Sequence, residues 1–259
     1  MLDKVDIQKI LFIAKGAGKA ILDVYYQPFD AEKKSDHSPI TLADKHSNDF
    51  ITQSLKDAYP EIPILSEESK QIPFEERKHW NYFWLVDPLD GTKEFIGRNG
   101  EFTVNIALIE DNQPIMGVVH IPVNGITYYA SKNSGSIKIL SDGRIKKLSN
   151  KYLHYTTRKN VVVIGSRSHP APETERFVEE LRQQGKAVDF ISAGSSLKFC
   201  LVAEGTADVY PRFGPTMEWD TAAAHVIATE AGRKVLNVNT REPLVYNKED
   251  LTNPWFVVE

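Results

Sequence analysis

Cysteine is all but absent: the 259-residue sequence has only Cys200, so no disulfide forms within the chain, and a reducing, cytoplasmic-type compartment is the simplest setting. Also lacking is any run near the roughly 18 consecutive apolar residues of a membrane helix. The opening Met1-Leu2-Asp3-Lys4-Val5-Asp6 does not have the basic-then-apolar layout of a signal peptide. The expectation is a soluble protein, with peripheral contact at the inner face of a membrane left open. Charge of one sign is missing too. There are 31 Lys plus Arg against 35 Asp plus Glu, a formal net charge of −4, which excludes a strongly basic nucleic-acid binder. What remains, 41% hydrophobic and 25% charged residues, is the balance of a globular enzyme. At this length a core forms without disulfides or structural zinc.

Apolar residues recur at spacings of three and four over residues 5–26 and again from Asp44 to Pro60, which predicts two helices before the first strand. Short apolar runs at 62–65 and 82–86 read as buried strands. Residues 103–130 read as three antiparallel strands separated by turns at Asp111-Asn112 and Asn124-Gly125, and Asp142-Gly143 marks another hairpin. From about residue 161 strands and helices alternate: strands at 161–164, 188–191 and 207–210, and helices through Phe177 and Leu181, from Ser195, and from Trp219 to Ala231. The change of texture predicts an α+β lobe over 1–150 and an α/β lobe over 151–259, tightly packed as one unit. The charged runs Glu75-Glu76-Arg77-Lys78 and Arg144-Ile145-Lys146-Lys147 read as solvated faces.

The stretch Trp84-Leu85-Val86-Asp87-Pro88-Leu89-Asp90-Gly91-Thr92 is the most informative. A buried strand delivers two carboxylates, three residues apart, to a turn. Such acids, with a backbone carbonyl such as that of Leu89, suit a hard divalent cation beside a phosphate. A solvated turn with acidic caps is the plainer reading of this segment alone. An aspartyl-phosphate mechanism would need an acid where Pro88 stands, and an EF-hand would need an oxygen ligand where Leu89 stands. Neither fits. The turn has company: Asp44 follows an apolar stretch, Glu67-Glu68 follow a strand, and Trp219-Asp220 opens an Ala-rich helix.

Together these motifs resemble the inositol monophosphatase superfamily of Mg²⁺-dependent, lithium-sensitive phosphatases, which carry an acid pair before Ser, a W-x-x-D-P-x-D-G-T strand-turn and a late W-D helix, in that order. Lys93-Glu94 after the turn is similar to the 3′(2′),5′-bisphosphate nucleotidase branch. The resemblance implies a sugar-phosphatase-like α/β fold, a layered α-β-α-β-α sandwich. It implies two or three Mg²⁺ ions, with Glu67, Asp87 and the Leu89 carbonyl on one and Asp87, Asp90 and Asp220 on another, so the first lobe is the metal-binding one. Thr92 and Asp44 are then the water-activating pair, and the backbone at Gly91 and Thr92 cradles the 3′-phosphate. Ser195, Lys198 and Arg212 are candidates for a second phosphate, and Ser168 and His169 for the ribose or base. Taken singly, Ser195 reads equally as an N-cap, Lys198 and Arg212 as solvated charges, and His169 as a loop histidine. The implied substrate is adenosine 3′,5′-bisphosphate, with 3′-phosphoadenylyl sulfate as a second candidate. An inositol or sugar monophosphatase, and a non-catalytic Mg²⁺ and nucleotide sensor, are the alternatives.

Overall fold

Strand alternation sets the architecture. In the computed structural model, which describes residues 1–27, 39–68, 72–148, 153–167 and 171–259, one seven-stranded sheet runs in chain order. Its strands are β1 (Ile64–Ser66), β2 (Tyr82–Asp90), β3 (Thr103–Glu110), β4 (Gln113–Ile121), β5 (Ile126–Ser131), β6 (Gly135–Ile139) and β7 (Ile145–Lys147). β1 and β2 are parallel and all other neighbours antiparallel. Successive side chains point to opposite faces. Trp84, Val86, Ile106, Leu108 and Val118 therefore face one core with α1 (Ile7–Tyr25) and α2 (Pro39–Ala58), while Phe83, Leu85, Ala107, Ile109 and Val119 face a second core with α7 (Glu218–Glu230). By the same parity Asp87 lies on the α7 side. Small residues let α7 come close: a Cβ on Gly117 would sit 2.2 Å from the Ala223 carbonyl oxygen.

Beyond α6 (Leu197–Ala203) and α7 lie the smaller strands. β8 (Asn160–Ser166) and β9 (Ala187–Ala193) pair in parallel, and β10 (Tyr210–Arg212), β12 (Phe256–Val258) and β11 (Val235–Asn237) form an antiparallel trio in that order. A bridge between Val163 and Val209 joins the two groups. Val161, Val163, Val209 and Val257 turn the other way, against Val178 and Leu181 of α5 (Pro172–Gln183). The layers are α1/α2, sheet, α6/α7, small strands and α5, the expected α-β-α-β-α sandwich.

Several boundaries move. α2 begins at Pro39, five residues before Asp44, because proline at a first helical position lacks only an N–H that would go unpaired there. The third strand of the second half lies at 210–212 rather than 207–210, and α6 starts at Leu197, leaving Ser195 outside it with φ 49°. Arg77, in the short α3 (Phe74–Arg77), is no solvated charge. It is 3% exposed and its guanidinium donates to Asn247 Oδ1 at 2.9 Å and to the Lys248 and Glu249 carbonyls. The run at 144–147 is exposed, as expected, on the edge strand β7. Among the described residues no helix is long and apolar enough to cross a membrane.

Candidate active site

The two acids of the turn sit on β2 itself. Among the described residues β2 has no strand partner on its β1 side beyond Val86, whose carbonyl accepts the Glu67 N–H at 3.1 Å, so Pro88 forfeits no ladder hydrogen bond there, and pairing to β3 shifts register between Asp87 and Asp90. That irregularity is pinned by Ser47, whose hydroxyl donates to the Pro88 carbonyl at 2.7 Å, and by the Leu89 N–H, which donates to Asp87 Oδ1 at 3.1 Å. Gly91 follows with φ 101°, a left-handed conformation that suits glycine, and α4 (Thr92–Ile96) begins at once.

Carboxylate oxygens of Glu67, Asp87 and Asp220 lie within 4.8 Å of one another. They come from three places: the end of β1, the middle of the buried strand β2, and the first turn of α7. One oxygen of Asp220 caps its own helix, accepting the Met217 N–H at 2.8 Å. Asp87 is 1% exposed. Burial, then the charges of Glu67, Asp90, Asp220 and Asp44, push its carboxyl well above the usual range. Burial and the nearby Asp90 raise Glu67 to about 7 and Asp220 to about 8. Asp44, half-buried on α2, is raised to about 8 by burial and by Glu68 and Glu67. Mutually repelling carboxyls, all hard oxygen donors, form a donor set that fits a hard divalent cation such as Mg²⁺.

Asp90 faces a different neighbourhood. Its Oδ2 accepts the Ser196 N–H at 2.6 Å and the Asn105 amide at 3.3 Å, and the Ser196 hydroxyl donates to Asn105 Oδ1 at 2.8 Å. Lys198 is 5% exposed, so it is not a solvated charge, and its ammonium stands 5.4 Å from the Tyr210 ring centroid. Burial pulls its pKa down to about 8 against the opposing field of Asp90. Arg212 is half-buried; Nη2 donates to the Pro215 carbonyl at 2.9 Å, while Nε is shut from solvent with no hydrogen-bond partner among the described residues. Asp90, Gly91, Thr92, Ser195, Lys198, Arg212 and Asp220 line one cleft of about 530 Å³. Thr92 is exposed at its mouth. Ser168 and His169 lie outside the described residues. Asn105 and Ser196 escape sequence reading because their partner Asp90 is 15 and 106 positions away.

The sequence profile of the inositol monophosphatase family matches residues 2–254. Among curated proteins, the chain is 43% identical over 257 residues to the 3′(2′),5′-bisphosphate nucleotidase CysQ of Salmonella typhimurium, covering 97% of this chain and 98% of that one. It is also 43% identical to the protein of the same name from Escherichia coli K12, with equal coverage. The crystal structure of CysQ from Bacteroides thetaiotaomicron, described as a bacterial member of the inositol monophosphatase family, superposes with a TM-score of 0.87 at 45% identity, over 95% of this chain and 94% of that one. An inositol monophosphatase from Zymomonas mobilis shares the fold, with a TM-score of 0.78 at 22% identity, over 98% and 91% of the two chains. Sequence and fold thus agree over nearly the whole length, and the chain belongs to the inositol monophosphatase family.

Proposed function

We propose that this chain is a Mg²⁺-dependent phosphatase that hydrolyses the 3′-phosphate of adenosine 3′,5′-bisphosphate to give AMP and phosphate, with 3′-phosphoadenylyl sulfate as a second substrate. The observation that carries this reading is that one cleft brings Asp90 and Asp220, the latter a member of the Glu67–Asp87–Asp220 cluster, together with a buried Lys198 and an Arg212 whose Nε has no partner among the described residues. A monophosphate needs only the first; a bisphosphate uses both. The relatives that carry the nucleotidase name at 43% identity support the same choice.

In this scheme Glu67, Asp87 and the Leu89 carbonyl would hold one Mg²⁺, and Asp87, Asp90 and Asp220 a second. Bound there, the ions supply charge for the phosphoryl oxygens and for the leaving oxygen, and lower the pKa of a water. Thr92 accepts a hydrogen bond from the attacking water, and Asp44 accepts the Thr92 hydroxyl proton, which orients both. The water oxygen joins phosphorus and gives up a proton to solvent, the bond from phosphorus to O3′ breaks, and O3′ takes a proton from water to restore the ribose hydroxyl. N–H groups at Gly91 and Thr92 face the 3′-phosphate. Ser195, Lys198 and Arg212 hold the other phosphate, Arg212 with a planar fork that matches two oxygens, and Ser168 and His169 contact the nucleoside. Cytoplasmic residence, with peripheral contact at the inner face of the membrane, belongs to the same proposal; a single buried Cys200 suits a reducing compartment. Lithium inhibition is expected from the family.

The test is product identity. With Mg²⁺, adenosine 3′,5′-bisphosphate should yield 5′-AMP by chromatography. Appearance of 3′-AMP, or of no nucleotide product, would overturn the reading.

A further inference from the structure

The turn that carries Ser195 and Lys198 is held only in part by its own helix, whose Lys198 ammonium donates to the Ser195 carbonyl and whose Leu197 N–H donates to Ser195 Oγ at 3.4 Å. Ser196, at the N-cap of α6, makes no side-chain capping bond. Ser195 is held at φ 49°, a left-handed conformation that costs a non-glycine residue about 1 kcal/mol and persists only where surrounding contacts impose it. Further contacts come from the other half of the chain. Glu101, in the loop between α4 and β3, accepts the Gly194 N–H at 2.8 Å. A Cβ on Gly194 would fall 3.0 Å from the Glu101 carbonyl oxygen, so the two backbones are in direct contact.

The same carboxylate is gripped from a third direction. Arg167 donates through Nε at 2.9 Å and Nη2 at 2.8 Å to the two Glu101 oxygens, and Nη2 also donates to the Ser192 carbonyl at 2.9 Å. An exposed ion pair alone contributes little. Here a bidentate fork and a backbone N–H converge on one carboxylate, the stronger and more directional case. Partial burial works to raise the Glu101 carboxyl, yet the Arg167 and Gly194 hydrogen bonds, with the charges of Arg167 and Lys198, hold it below its usual range. Glu101 therefore stays an anion, and Arg167 offsets a negative charge that would otherwise face any anion arriving at Lys198. Arg167 also directly precedes Ser168 and His169 in sequence.

We propose that Glu101, locked by Arg167, is a positioning residue that sets the Gly194–Lys198 turn for the second phosphate of the substrate. This rests on the bisphosphate reading above. The experiment compares adenosine 3′,5′-bisphosphate with adenosine 3′-monophosphate, which lacks the second phosphate, for the wild type, Glu101→Gln, Arg167→Met, the double variant, and Arg167→Lys. KM for the bisphosphate should rise about tenfold in each of the first two single variants, the equivalent of one lost charged hydrogen bond. For the monophosphate, kcat and KM should stay within about twofold. Two residues acting as one unit should give a double variant no worse than the poorer single one. Arg167→Lys, which keeps the charge and loses the fork, should restore only part of the affinity. Equal losses on both substrates, unchanged KM for the bisphosphate, or additive single effects would each overturn the positioning role while leaving the nucleotidase reading intact. A wild-type enzyme that does not distinguish the two substrates would instead overturn that reading, and this inference with it.

Discussion

The acid cluster and the basic side of the cleft that adjoins it at Asp220 are charged in opposite senses and are built differently. At one end Glu67, Asp87 and Asp220 crowd carboxylate oxygens within 4.8 Å, and their mutual fields and burial push every one of their pKa values up. At the other, Lys198 lies buried beside Asp90 and within the field of Arg212, and its pKa is pulled down. Each end is thus shifted toward its neutral form, and in the proposed scheme a bound cation would complete the acids and a bound anion the bases. Asp90 joins them, since it raises the pKa of Glu67 on one side and steadies Lys198 on the other. On the reading proposed above, two complementary charge sites side by side would distinguish a bisphosphate from a monophosphate.

The contrast can be broken first at the acid end. Asp87→Asn keeps an acceptor for the Leu89 N–H but removes the charge shared by both proposed ions. Because outer-shell partners of metal sites already cost 10–100-fold, kcat should fall by more than about a hundredfold, with circular dichroism showing a folded protein. Near-normal kcat would remove the two-ion scheme. At the basic end, Lys198→Met should raise KM for the bisphosphate by roughly 10–100-fold, the range of a lost charged hydrogen bond, with a far smaller effect on 3′-AMP; equal effects would deny a second-phosphate site.

A pH series sharpens the same comparison. The folded-state carboxyls of Glu67, at about 7, and of Asp44 and Asp220, at about 8, lie above the ordinary values of free carboxylates. Between the two ranges these carboxyls bind more protons in the folded state than in the unfolded one, so their contribution to metal-free stability should fall as pH rises toward 8, most clearly above about pH 6.5, where the buried His120 and His225, lowered to about 4, no longer oppose it. Added Mg²⁺ competes with those protons. It should raise the melting temperature by several degrees at pH 8, about 2.7 kcal/mol at a hundred times its Kd, and by much less at pH 6. A metal effect independent of pH would contradict the assignment. The smallest change is expected from Arg212→Lys, which loses the planar fork: KM for the bisphosphate should rise a few-fold.

Much of this was legible because it is local. Apolar runs between turn residues located most of the sheet, and three short motifs named the acids. Other features depend on partners far along the chain. Arg77 reads as one of four charges in a row, yet it binds backbone carbonyls about 170 positions away. The apolar run 82–86 places the strand's end at Val86, but the strand runs on through Pro88 to Asp90 because, among the described residues, its neighbour on that side has already stopped. Lys198 carries no local sign of burial; Tyr210 and Asp90 reach it only through the fold. Glu101 and Arg167, 66 positions apart, are in the same case. The division near residue 150 remains a proposal of one cooperative unit, supported by α7 packing on the sheet of the first half. It predicts a single unfolding transition with equal calorimetric and van't Hoff enthalpies, and two separate transitions would refute it.

The most direct test of the two-ended cleft is kcat/KM with Mg²⁺ for adenosine 3′,5′-bisphosphate, 3′-AMP and inositol 1-phosphate on one preparation. The bisphosphate should lead by about a hundredfold, roughly 2.7 kcal/mol of transition-state discrimination. If inositol 1-phosphate matches or exceeds it, the acid end retains its chemistry and the basic end is not a phosphate site.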